Sequence, residues 1–219
     1  MSSQLKIVAP ETVQYIAELS EFNAAYILLM ATAGVLSAIA LLTNSVPVLI
    51  GSMVIAPALP PLALISFSVV NRQPKLALEG TISAILGLSI SMAAALVVTW
   101  LLNVTHVLPE ETSLIDRALL QERVSPGWYS VVTAIAAGVA GMVALVERKT
   151  DTLVGVVAAL ALVPAGVAGA IAFLSHDPVR GWGGIELLGI NVTLIVVSGV
   201  ITLLIFHAVK YSPKLHSDE

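Results

Sequence analysis

The sequence predicts an all-α polytopic membrane protein: six transmembrane helices arranged as two inverted three-helix repeats, each with a proline-broken second helix. Three observations lead there. The 219 residues are 58% hydrophobic and 11% charged, with a mean hydropathy of +0.97, whereas a soluble domain carries about 25% charged residues. Apolar stretches long enough to cross a bilayer, about 20 residues each, recur six times. The chain also matches itself when displaced by 104 positions.

Residues 1–22 form a cytoplasmic or interfacial N-terminal segment. Within it, 10–22 reads as a short amphipathic helix, with Pro10 near its start and Val13, Ile16 and Ala17 on one face. No cleavable leader is read there, because the segment has neither a basic start nor a continuous apolar core. The spans follow at roughly 23–43, 47–70, 77–102, 128–146, 152–174 and 185–209. The first repeat therefore occupies 23–102 and the second 128–209, joined by an extracytoplasmic loop over 103–127 and followed by a cytoplasmic tail over 210–219.

Loop charges set the orientation. Alternate loops divide Lys6, Arg72, Lys75, Arg148, Lys149, Lys210 and Lys214 from Arg117, Arg123 and Arg180. The lysine- and arginine-rich side is expected inside, which places both termini in the cytoplasm of a multi-pass protein of the cell membrane. Trp100, Trp128 and Trp182 then all fall at outer span ends, where interfacial aromatics belong. The long outer loop is acidic at Glu110, Glu111, Asp116 and Glu122. It reads as a solvated loop or, more sharply, as a vestibule that attracts cations.

At the 104-residue offset Gly34 meets Gly138, Val35 meets Val139, Ala40 meets Ala144 and Leu41 meets Leu145. Leu49 then meets Leu153, Gly51 meets Gly155, Pro60 meets Pro164 and Pro74 meets Pro178. At an offset shorter by two, "LGLSIS" at 86–91 also meets "LGINVT" at 188–193. Three spans per copy is an odd number, so the second copy enters the membrane from the other side. Inverted repeats of this kind are common in secondary transporters, whose sites lie near the midplane at discontinuous helices.

The prolines supply such discontinuities. In an unbroken helix Pro57 would free the carbonyl of Met53, Pro60 that of Ala56, Pro61 that of Pro57, and Pro164 that of Leu160. Freed carbonyls suit a cation, and the start of a new half-helix suits an anion. The candidate substrate- or ion-binding set is therefore Ser52, Met53, Ala56, Pro57, Pro60, Pro61, Ser66, Leu160, Pro164 and Asn191, with Ser68 a further hydroxyl nearby. Glu79 and Glu186 are weaker vestibule candidates. The blander readings are packed kinks for the prolines, an interhelical hydrogen bond for Asn191, an ion pair with Lys75 for Glu79 and an interfacial cap for Glu186. Small residues four apart, such as Ala33 and Ser37 or Ala137 and Gly141, suit close helix packing and homo-oligomer contacts.

Other classes find little support. The absence of cysteine excludes disulfides and thiolate chemistry. His106, His176, Asp177 and His207 have no metal-ligand spacing, and neither a hydrolase motif nor paired carboxylates at depth is present. No enzyme activity, cofactor, metal or nucleic-acid partner is expected. The expected partners are the lipid bilayer and a small ion or solute.

The stretch "NSVPVLIGSMVIAPALPPL" at 44–62 resembles the signature of the DUF389 family of prokaryotic membrane proteins, carried by Asn44, Ser45, Ile50, Gly51, Ser52, Met53, Pro57 and Pro61. "VVAALALVPAGVAGAIAF" at 156–173 resembles the family's second signature. Ser52 stands where the family usually has alanine, Pro60 where glycine is more usual, and Ala165 where the second signature has another proline. Many relatives also have a sizeable N-terminal soluble region, which is not expected here. The resemblance implies a multi-spanning membrane protein and no particular activity. The residues favour a transporter or channel for a small ion or solute; the alternative is a non-transporting assembly or signalling module.

Overall fold

The computed structural model describes residues 10–105, 117–125, 127–149, 162–175 and 179–211, with side chains to 208. Among them every regular element is a helix. They are α1 (Pro10–Leu19), α2 (Ala24–Thr43), α3 (Val46–Ile55), α4 (Leu59–Val70), α5 (Pro74–Val104), α6 (Ala118–Val124), α7 (Trp128–Val146), α8 (Leu162–Phe173) and α9 (Val179–Tyr211).

Local sequence explains where the helices begin and end. Asn23 caps α2, its Oδ1 accepting from the Tyr26 N–H at 2.9 Å. Asn44 ends the same helix in the left-handed region, with φ of 55°, a conformation asparagine tolerates. Pro57 forces the residue before it out of the helical region, so Ala56 is extended with φ −69° and ψ 117°. The chain resumes as α4 with Pro60 and Pro61 in its first turn, where a missing N–H leaves no helical bond unmade. The second expected span is thus two half-helices bent by 47°. Pro74 opens α5 in the same manner.

Helices α2, α5, α7 and α9 are each long and apolar enough to cross a membrane, and the bent pair α3–α4 makes a fifth candidate. Helix α8 is a shorter apolar helix of 12 residues. The expected span 152–174 falls among the described residues only from Leu162, so six complete spans are not in view. Helix α5 starts three residues before the expected 77–102, and α9 starts six before the expected 185–209. Hydropathy marks only the apolar part of a helix that continues past it. The loop expected over 103–127 contains a helix, α6, which seven residues of sequence could not announce because one apolar face of that length has little periodicity.

Helix α8 lies at the centre. All eleven residues from Leu162 to Ala172 are buried, against α9, α5 and α2, with α6 at one end. Helix α4 packs on α5 and α9 as well, and on α1 at the opposite end of the molecule. The half-helices α4 and α8 each lie between α5 and α9 and do not run along one another.

The two ends of the bundle are distinct. At one, α1 buries Val13 and Ile16 among Phe67, Val70, Met142, Leu145 and Leu203, and Arg148 lies 5.6 Å over the Tyr15 ring. At the other, the Asn44 side chain accepts from the Leu119 N–H of α6 at 3.0 Å, and Gly183 of α9 lies under the backbone of Val124.

The 104-residue displacement recurs in contacts. A Cβ on Gly34 would overlap the backbone of Ser91, and one on Gly138 would lie 3.0 Å from Ile195 Cα, so both partners are related by 104. A Cβ on Gly80 would come 2.8 Å from the Pro61 oxygen, and one on Gly184 would come 2.9 Å from the Ala165 oxygen. Ile16 of α1 and Leu120 of α6, again 104 apart, are both fully buried. Asn44 and Arg148 both take positive φ at the ends of α2 and α7. The glycine contacts on α5 and α9 follow the 104 offset rather than the 102 offset at which "LGLSIS" and "LGINVT" match. Packing geometry at Gly80 and Gly184 decides between two sequence alignments that differ by half a turn.

Candidate functional site

The site is best built outward from Ala56–Ala58, where α3 stops and α4 begins. The Ala56 N–H still bonds to the Ser52 oxygen at 3.3 Å. Beyond it the helical ladder fails. Among the described residues no hydrogen bond reaches the carbonyls of Met53, Val54, Ile55, Ala56 or Pro57. The freed Met53 and Ala56 carbonyls are those expected for Pro57 and Pro60. The cause differs for Pro60 and Pro61: they start a new helix instead of interrupting an old one.

Polar side chains near the break are already engaged. Ser52 Oγ donates to the Leu49 oxygen at 2.7 Å, so the 2.8 Å contact with Ser37 makes Ser37 the donor and Ser52 the acceptor. This pins α3 to α2. Ser66 Oγ lies 3.2 Å from the Leu62 oxygen and 3.1 Å from the Val196 oxygen, tying α4 to α9. Met53 and Ala56 are buried in the core with Met30, Ala33, Ala84 and Leu88. Pro57 and Pro60 are half-buried and Pro61 is buried. Ser68 is buried, with an oxygen that has no partner.

Pro164 is buried in the first described turn of α8, and Leu160 lies outside the described residues. Asn191 is buried on α9 and its Oδ1 lacks a partner. Its neighbours one turn away, Leu188 and Ile195, meet Gly166 of α8 and Gly138 of α7. Asn191 therefore shares the α7 and α8 side of α9, while Val196 and Gly199 carry the α4 side. The structure brings Ser52, Met53, Ala56, Pro57, Pro60 and Pro61 together and leaves Asn191 round the helix from them.

Glu79 and Glu186 are exposed on α5 and α9. Lys75 and Glu79 do not form the expected ion pair; an exposed pair at this spacing gains only about 0.3–0.5 kcal/mol. At the α6 end, burial pushes the guanidinium of Arg123 below its ordinary value and neighbouring Glu122 pushes it back up. Glu110, Glu111 and Asp116 of the expected vestibule lie outside the described residues.

Three participants escaped sequence reading. Ser37 was legible only as a small packing residue, yet its hydroxyl orients Ser52. The Tyr26 hydroxyl donates to the Ser83 oxygen at 3.0 Å, across from Gly87. Gly80 and Gly184 are an identical pair at the same 104 offset, beyond the 34–74 stretch where the matches were counted.

The sequence model of the family described as "Domain of unknown function (DUF389)" matches residues 53–197. The chain belongs to the DUF389 family. The match begins at Met53, beside the helix break, and ends within α9. An uncharacterised protein of Methanocaldococcus jannaschii is 29% identical over 149 residues, which is 68% of this chain and 43% of that protein. The chain thus spans less than half the length of that curated relative. No solved structure matches. As a DUF389 protein the chain pairs apolar, membrane-compatible helices with a broken helix near the start of the family region.

Proposed function

We propose that this DUF389 chain is an integral membrane transporter or channel for a small ion or solute, built as two inverted repeats with the α3–α4 break as its central site. The observation that carries the reading is the bent pair itself. A span interrupted at its middle leaves the carbonyls of residues 53–57 without donors among the described residues, an arrangement tolerated at membrane depth only where it is buried in protein or lines a cavity. The inverted repeat draws support from the contacts that recur at 104 residues and from the placement of α1 and α6 at opposite ends. On this reading each half is a short amphipathic helix followed by three spans, the termini face the cytoplasm, and the chain carries no enzyme activity.

The chain has no native cysteine, so single cysteines report directly on water access. Ala58→Cys at the half-buried break is expected to react with a membrane-impermeant thiol reagent in the folded, reconstituted protein, and Ala165→Cys, at a position buried in α8, reacts only if a pathway opens along α8. Lack of reaction at both sites, with Thr105→Cys at the exposed end of α5 reacting normally, would remove the pathway. A second reading, an assembly or signalling module that transports nothing, is favoured by one observation: the serines at the break are spent on helix-to-helix bonds and α8 is wholly buried. Inert cysteines would select that reading.

A further inference from the structure

The break is chemically one-sided. Residues 57–61 are Pro-Ala-Leu-Pro-Pro, so only Ala58 and Leu59 in that stretch possess a backbone N–H. An ordinary helix start offers several free N–H groups and a partial positive charge to an anion. Here Pro60 and Pro61 delete two of the donors from the first turn of α4, and Pro57 deletes another from the connection. The end of α3 is intact in the opposite sense. Its final carbonyls, from Met53 onward, have no donor among the described residues, and they carry the negative end of the α3 dipole. The connection thus displays oxygens and almost no N–H.

The surroundings do not correct this imbalance. The apolar side chains that share the core with Ala56 and Leu59 include Met30, Ala33, Ala84 and Leu88, and the hydroxyl of Tyr26 in the same cluster is given to the Ser83 oxygen. The nearest hydroxyls, on Ser37, Ser52 and Ser66, are committed elsewhere. A carbonyl left bare in hydrocarbon is costly, so a partner that supplies positive charge is strongly favoured. The acidic side chains described on the flanking helices point outward: Glu79 is exposed near the start of α5, and Glu186 is exposed on α9. Divalent sites draw on carboxylates, whereas rings of neutral carbonyls suit a monovalent ion that sheds its water readily.

We infer that the α3–α4 break binds a monovalent, weakly hydrated cation through the backbone oxygens of residues 53–57, and that its prolines select against anions. The inference rests on reading the break as the site of a transporter, and it names the class of that substrate.

The test uses the purified full chain and rubidium as probe. In detergent, rubidium chloride is expected to raise the melting temperature above that in N-methylglucamine chloride at equal ionic strength. In proteoliposomes, rubidium uptake is expected to exceed chloride flux at least tenfold. The double variant Pro60→Ala and Pro61→Ala returns two N–H groups to a turn that is already helical; it is expected to lose the rubidium-dependent stabilisation and at least tenfold of the rubidium flux. Pro57→Ala serves as a second variant if the double variant does not remain monodisperse. Chloride flux without rubidium stabilisation would overturn the cation site and leave the transporter reading standing. Rubidium stabilisation without any flux would leave the site standing and remove transport. Equal rubidium binding and flux in wild type and folded proline variants would overturn the inference.

Discussion

The half of the molecule formed by α1–α5 and the described part of the half formed by α6–α9 share several glycine contacts at a 104-residue offset and differ in polar chemistry. Each begins with a short helix anchored by a fully buried aliphatic residue, Ile16 or Leu120. Each packs its first span on its last through a glycine, Gly34 or Gly138, and its half-helix on the last span through Gly80 or Gly184. At the break the likeness ends. The first half has three prolines, the Ser37–Ser52 pair and the Tyr26 hydroxyl on the Ser83 oxygen. The second has Pro164 alone, Gly141 where the first has Ser37, and, where the first has Gly87, Asn191, whose Oδ1 has no partner among the described residues. Close approach of helices is a backbone requirement, and both halves meet it with the same residue. Binding is a local requirement, and one half can meet it without the other.

The sharpest way to break the comparison lies in the paired glycines. Gly34 lies against the backbone of Ser91, which cannot move without α5, whereas the nearest obstacle to a Cβ on Gly138 is the Ser198 hydroxyl, which can rotate. Gly34→Ala is expected to cost on the order of 4 kcal/mol and to lower the yield of folded protein, by the upper range for overpacking. Gly138→Ala should cost about 1–2 kcal/mol, because Ile195 still has to give slightly. Thermal melts of the two purified variants decide it; equal losses would mean that the halves pack alike in detail.

Next come the anchors. Ile16→Ala and Leu120→Ala each delete a fully buried aliphatic side chain and are expected to cost about 2–4 kcal/mol. A melt showing no loss for Leu120→Ala would break the equivalence of α6 with α1.

Smaller effects belong to the hydroxyl chain. Ser52→Ala strands the Ser37 donor and should cost about 1 kcal/mol, whereas Ser37→Ala leaves Ser52 bonded to Leu49 and should cost about half that. The reverse order in melting temperature would mean that the donor direction is wrong. The smallest effect is expected for Glu79→Gln and Glu186→Gln, which are exposed and unpaired with any described lysine or arginine and should stay within about 0.5 kcal/mol of wild type. Larger losses would assign these carboxylates a structural role.

Much of the fold was legible because its causes are local. The spans at α2 and α7 were readable to within a residue, since hydropathy and a capping asparagine or tryptophan mark them. The break was legible because proline acts on its own backbone and on the residue before it. Helix α6, the Ser37 donor and the Tyr26–Ser83 bond were not, because each depends on which helix lies opposite. The same holds for Asn191, whose depth was readable but whose facing side follows from α9 packing on α7 and α8.

Composition alone determined that these helices need an apolar solvent, since 11% charge cannot cover a surface. Proline placement alone determined that the second span is discontinuous, because a missing N–H and a ring clash act within one turn. Only the tertiary structure decided the register of the two halves, the sharing of α5 and α9 between α4 and α8, and which polar groups near the break are already spent. Those depend on the close approach of segments about a hundred residues apart, where a single Cβ sets the distance and a single hydroxyl chooses its partner.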